Sequence, residues 1–372
     1  MTDLDFGLWD SLGAYHMSQA PTTADVYDYH IKRAVRIEEL GFHSYWVIEH
    51  QNSPVGEITS PSVYLTAIAM RTSTLRVGAM IWQIPFHNPL RLAEEVAMLD
   101  HLSHGRVEFG SGIGVHEHEF MRWGLNYYER APQSAEAMEI ILKAWTEPEV
   151  TYKGKYFTFD EALPAPKPYQ QPHPPIWIAA HSAASMDYAA KNNWSVAQNL
   201  DTDVVVARNF DHFRTSWKGF NHPGPMPRIF LQRAVYVAET DAKAREQAEQ
   251  YILTMRDANT TGRGKISNTR IGWGSNERGM GTDGDRPHDA ERSRVFGEMS
   301  KSVDFAIENG LVVLGSPETV IRKLEEGRKN IGYDVFCGNF EIGGMPRELV
   351  SQSIELFGKE VIPAFSRVAV PA

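Results

Sequence analysis

His50 stands in the run Ile48-Glu49-His50-Gln51-Asn52, where a β-branched and aromatic segment stops. An imidazole there can hold or relay a proton near neutral pH. His116-Glu117-His118-Glu119 offers residue types that coordinate metals, but four consecutive residues fan around a helix start. The expectation is therefore no metal, with Glu117 and Glu119 solvated at the positive end of a helix. Gly110-Ser111-Gly112-Ile113-Gly114 lets a flat or anionic ligand approach the backbone, though its spacing is wrong for a dinucleotide fingerprint. Ala180-His181-Ser182-Ala183-Ala184-Ser185 leaves a strand and opens a helix. Ser182 and Ser185 there either cap the helix or hold an anion at its N-terminus. Arg130 supplies a guanidinium for a phosphate or lies on the surface. The chain has no G-x-S-x-G elbow, no phosphate loop and no H-E-x-x-H.

Eight apolar runs would position these groups: Leu4–Trp9, Ser44–Glu49, Leu75–Trp82, Arg106–Gly110, Pro175–Ala180, Trp194–Asn199, Ile229–Ala238 and Asp334–Phe340. Most are continuously apolar, the pattern of parallel strands covered on both faces. Helical patterns follow at Val26–Leu40, Pro89–Leu102, Gln133–Trp145, Ser182–Lys191 and Pro317–Ile331, with stop signals at Gly41 and Gly332. Strand and helix repeated eight times predict an α/β fold, a (β/α)8 TIM barrel with insertions, whose reactive side chains sit where strands end. The whole of 1–372 reads as one barrel. The proline-rich stretch at 150–175 reads as an inserted ribbon and loop, and the glycine-rich stretch 259–287 as a mobile lid over the C-terminal face.

The 37 basic and 47 acidic residues give a net charge of −10, and no basic run favours nucleic acid or an anionic membrane. A single cysteine excludes an intrachain disulfide framework. With no basic leader and no membrane-length apolar run, a cytoplasmic location is the expectation.

Several separated motifs carry a family resemblance. They are Ser44-Tyr45-Trp46-Val47-Ile48-Glu49-His50, Leu75-Arg76-Val77-Gly78-Ala79-Met80 with Pro85 and Asn88-Pro89, and Leu99-Asp100 through Gly105-Arg106-Val107-Glu108-Phe109-Gly110. Ala180-His181-Ser182 and Val313-Leu314-Gly315-Ser316-Pro317-Glu318, running on through Cys337-Gly338-Asn339-Phe340 to Leu356-Phe357, complete the set. In these the chain resembles the bacterial luciferase-like flavin-dependent monooxygenases and is similar to the luciferase catalytic subunit, a resemblance specific to the family and not to one member.

The resemblance implies a barrel that takes reduced FMN and O2, passes through a flavin C4a-peroxide and oxygenates a small hydrophobic organic substrate. His50 falls on the family's catalytic histidine, Met80 on the strand-three position beneath the isoalloxazine, and Ser182, Ser185 and Arg130 on phosphate contacts. Gly112, His116, Ala180, His181 and Gln198 complete the expected cofactor site, with Trp9, Trp46, Trp82 and Phe86 lining an apolar substrate pocket. The chain lacks a nicotinamide fingerprint, so the implied partner is a separate NAD(P)H-dependent flavin reductase. A homodimer is expected. Gly112 and Ile113 replace the luciferase cysteine and a phosphate-binding arginine, and Gln51 replaces a second histidine. Three alternatives stay open: the deazaflavin F420 with hydride transfer, which Ile113 permits; a glycosidase using the strand-end carboxylates Glu49 and Glu341; and a non-catalytic flavin-binding subunit, against which the retained His50 argues.

Overall fold

A computed structural model describes residues 4–52, 56–255 and 287–365. The expected lid lies outside them except for its last residue. Eight parallel strands close into a ring: β1 (Asp5–Asp10), β2 (Ser44–Val47), β3 (Arg76–Gln83), β4 (Val107–Gly112), β7 (Ile176–Ala179), β8 (Ser195–Gln198), β9 (Ile229–Val237) and β11 (Val335–Asn339). Closure rests on β9, which pairs with β8 at Val196↔Ile229 and with β11 at Val335↔Phe230, and on β11 pairing with β1. This is the (β/α)8 barrel that the strand periodicity predicts. Between β4 and β7, β5 (Val150–Lys153) and β6 (Thr158–Ala162) form a two-stranded antiparallel ribbon. A further strand that the sequence reading does not assign, β10 (Val312–Gly315), pairs with the far half of β9 from Ala234 to Val237.

Several helices start where side chains satisfy their free N–H groups. Thr22 and Asp25 form a capping box before Thr23–Glu39, and Asn88 accepts from two backbone N–H groups ahead of Pro89–Leu102. Gly332, in the left-handed conformation, ends Pro317–Ile331. Two helices begin three residues before the expected start, at Thr23 instead of Val26 and at Arg130 instead of Gln133. In the second, Pro132 suggests a later start, but proline is tolerated in a first helical turn because no intrahelical partner waits for its missing N–H.

Apolar packing divides into two layers. Most of it lies between strands and helices. A smaller cluster, including Trp9, Trp46, Met80, Trp177, Phe230 and Cys337, fills the barrel interior. Trp46 meets Trp177 and Phe230 edge to face at centroid distances of 5.8 and 5.1 Å. Its ring fits because Gly78 has no side chain: a Cβ there would come within 2.7 Å of Trp46 Cζ3. These aromatics make a floor, above which the barrel opens.

Candidate active site

A cavity of about 310 Å3 lies above that floor, walled by the C-terminal ends of the strands and the residues that follow them. Trp9 enters from β1, Glu49 and His50 from the turn after β2, and Met80, Ile81 and Gln83 from β3. Gly112 ends β4 and Ile113 to His116 follow it, His181 follows β7, and Gln198 ends β8 with Asn199 just past it. Because β2 stops at Val47, Glu49 and His50 stand free of the sheet at its mouth.

His50 Nδ1 lies 2.9 Å from Glu119 Oε1. The other carboxylate oxygen of Glu119 accepts from Gln83 Nε2 at 3.0 Å, and that amide also donates to the Glu49 carbonyl at 2.8 Å. Glu119 is fully buried. Burial opposes its charge, but the bonds from His50 and Gln83 outweigh that and hold the carboxyl at about 2. It is therefore an anion that fixes the His50 ring, not the solvated helix-end residue expected from sequence. The reason is helical geometry: the helix Glu117–Arg122 puts His116 and Glu119 one turn apart, on the inward face. His116 stacks at a tilt 5.2 Å from His50. Desolvation, aided by the proximity of His50, lowers His116 to about 3 and keeps it neutral. The donor atoms of His50, His116 and Glu119 lie within 4.8 Å of one another; the hydrogen bond between His50 and Glu119 accounts for that closeness.

Glu49 is also buried and committed. It accepts from the Gln83 backbone N–H, from Gln51 Nε2 and from His87. Burial disfavours a charged His87, but Glu49 overrides it and raises the imidazole above its ordinary value. Glu341 pairs with Arg33 at 2.6 Å and with His16 at 2.7 Å. Neither carboxyl is free to act as a glycosidase acid, and the two line different cavities.

The other expected residues divide clearly. Met80, Gly112, His116, His181, Gln198 and Trp9 line the cavity, and the Met80–Ile81 peptide is cis. Ala180 is buried outside it, its N–H bound to Ala197 O. Ser182 caps Ala183–Lys191 in a reciprocal pair with Ser185, at the exposed rim beside His181. Arg130 does not line the cavity; it is buried, 3.6 Å from the Tyr127 ring centroid, and donates to Tyr127 O. Trp46 belongs to the floor. Trp82 faces the helices, stacks on Phe109 at 5.1 Å and donates to Ser62. Phe86 packs on Phe120 at 4.7 Å, again outside the cavity. Sequence reasoning missed Glu119, Gln83 and Glu49 as partners within the site, and Arg292 in its wall. Their one sequence signal was an unusual concentration of carboxylates near histidines.

The family model for luciferase-like monooxygenases matches residues 5–334. The chain belongs to that family. A flavin-dependent trigonelline monooxygenase of Acinetobacter baylyi, an oxygenase component, is 27% identical over 95% of this chain and 94% of its own. Two solved structures share the fold. The FMN-bound oxygenating constituent of 3,6-diketocamphane monooxygenase from Pseudomonas putida has a TM-score of 0.76 at 19% identity, over all of both chains. The F420-dependent tetrahydromethanopterin reductase of Methanopyrus kandleri has a TM-score of 0.69 at 21% identity, covering 98% of this chain and all of that one. The relatives are oxidoreductases, and both flavin and deazaflavin users occur among the structural neighbours.

Proposed function

We propose that this protein is the oxygenase of a two-component system that takes reduced FMN from a separate NAD(P)H-dependent reductase and inserts one oxygen atom of O2 into a small organic substrate. The observation that carries this reading is the His50–Glu119 pair at the wall of a cavity of ligand size, which Met80 and Ile81 also line. The residues suit a flat tricyclic ring. Gly112 leaves room that a Cβ would take from Ile81 Cδ1, and Met80, Ile81 and Gln198 offer apolar and amide surface. Bound reduced flavin supplies the electrons, so that substrate, O2 and FMNH2 give oxygenated product, water and FMN. His50, with Nδ1 committed to Glu119, keeps Nε2 for a proton at the cavity. Beside this cavity lies a chamber of about 100 Å3 lined by Met255, Phe296, Met299 and Leu311 but also by His16, Arg233 and Glu341; it shares Ser11, Leu200, Gln232 and Asn339 with the main cavity and offers a small substrate both apolar surface and charged groups.

The named relatives support the reading: one is an oxygenase component, and one neighbour is an FMN complex. A second reading, hydride transfer with F420, is favoured by Ile113 in the cavity wall and by the F420-dependent neighbour. The test is rapid mixing of protein loaded with FMNH2 against oxygenated buffer. Protein-bound flavin should return to the oxidised spectrum only after a lag absent from free flavin, and 18O2 should label the product. Immediate return, together with tight binding of reduced F420, would favour the second reading.

A further inference from the structure

Arg292 is a charged side chain of the cavity wall to which the proposed reaction gives no task. It comes from the helix Pro287–Met299 and keeps 12% of its side-chain surface exposed, so the guanidinium is not sealed into the core. Asp201 positions it: Oδ1 pairs with Arg292 Nε at 3.1 Å, while Oδ2 lies 2.9 Å from His181 Nδ1 and accepts from Gln198 Nε2 at 2.7 Å. Asp201 is 3% exposed, and a carboxylate this deeply shared cannot swing away. Arg292 NH2 also approaches Asn199 O at 3.5 Å. The result is a held guanidinium at the cavity edge, with His181 leading directly into Ser182 and the start of its nine-residue helix.

The cavity is electrically polar. In the ring order β8 stands four strands from β2. The β2 side carries two buried carboxylates, Glu49 and Glu119, while Arg292 sits beside Gln198 and Asn199 at the end of β8. The Asp201 carboxylate beside Nε offsets much of the Arg292 charge, so an anion is drawn to this side by the hydrogen-bonding fork of the guanidinium and kept from the first side by its carboxylates. The guanidinium fork fits a phosphate oxygen pair better than a point contact. The arginine that the family resemblance would put at 113 is Ile113 in this chain.

We infer that Arg292, oriented by Asp201, is the cation that holds the phosphate group of the cofactor, in place of the arginine absent at 113. This rests on the reading that the cavity takes FMN or F420, both of which carry phosphate. The test uses the full chain, wild type and Arg292→Met, with Arg292→Lys as the conservative variant. Quenching of flavin fluorescence gives affinities for oxidised FMN and for riboflavin, which lacks the phosphate. Arg292→Met should bind FMN at least tenfold more weakly and riboflavin unchanged, with Arg292→Lys intermediate. Parallel losses for both ligands, or no loss for either, overturn the inference. If wild type binds neither flavin, the proposed function fails, and the same comparison passes to F420 and its phosphate-free deazaflavin core. A third arm needs no cofactor: inorganic phosphate should raise the thermal midpoint of wild type and not of Arg292→Met. Equal protection of both proteins overturns the assignment whichever cofactor is used.

Discussion

A histidine facing a cavity is useful only if something fixes its ring and its proton, and here that is Glu119. His50→Ala should lower the oxygenation rate by about 10²–10⁴-fold, the usual scale for a lost acid-base group. Glu119→Gln keeps the size and one acceptor but removes the charge that holds the His50 ring. It should cost about tenfold in kcat and leave FMN affinity within twofold. A purely structural Glu119 would change stability and leave kcat of the folded protein alone. Stability offers a separate check with a defined sign. The Glu119 carboxyl is depressed from 4.5 to about 2, so its contribution is fully present above pH 4.5 and lost as pH falls through 2. The difference in thermal midpoint between wild type and Glu119→Gln should therefore be constant from pH 7 to 4.5 and shrink below it. A gap that stays unchanged down to pH 2 would remove the ion-pair account.

At the scale of elements, the legible features were those whose cause is local. The ring strands announced themselves because parallel strands must be apolar on both faces, and Ser182, Asn88 and Gly332 mark helix ends by their own chemistry. Most of what escaped was set by neighbours. β10 is no shorter than β2, β7 or β8 and went unread although its run is equally apolar, while Glu119 is indistinguishable in sequence from a solvated helix-end acid until His50 lies opposite. Trp82 shows the mechanism best. Strict alternation from Met80 points it into the barrel, but the register of β3 against β4 shifts between Ala79 and Trp82, and the ring turns to the helix layer. Trp82→Ala should accordingly destabilise the protein by about 3–5 kcal/mol in urea titrations while folded protein binds FMN normally. Trp9→Ala, which opens the cavity wall, should weaken FMN binding instead. If Trp82→Ala impaired binding without loss of stability, the reassignment of that ring to the core would be wrong.

At the scale of the whole molecule, the barrel explains why chemistry gathers at one end, since every strand delivers its last residues to the same mouth. The outer surface is less uniform. The outward face of Pro317–Ile331 carries Glu318, Arg322, Glu325 and Lys329, as a solvated helix should. The adjoining helices Pro61–Ala69 and Pro89–Leu102 instead expose Val63 with Met70 just past the first, and Met98 with Leu102 on the second. Val63 and Met70 are two turns apart and Met98 and Leu102 one, so each pair shares a face, and the two helices pack side by side. Grouped exposed apolar side chains of this kind mark contact surfaces more often than solvent-facing ones. A second copy of the chain meeting the first through this face would cover both pairs symmetrically. Light scattering on the purified protein should then give twice the 41.9 kDa chain mass, and Val63→Lys combined with Met98→Lys should return it to a single chain while FMN binding persists. A wild-type mass of one chain, or a dimer indifferent to both lysines, would mean that this face serves something other than self-association.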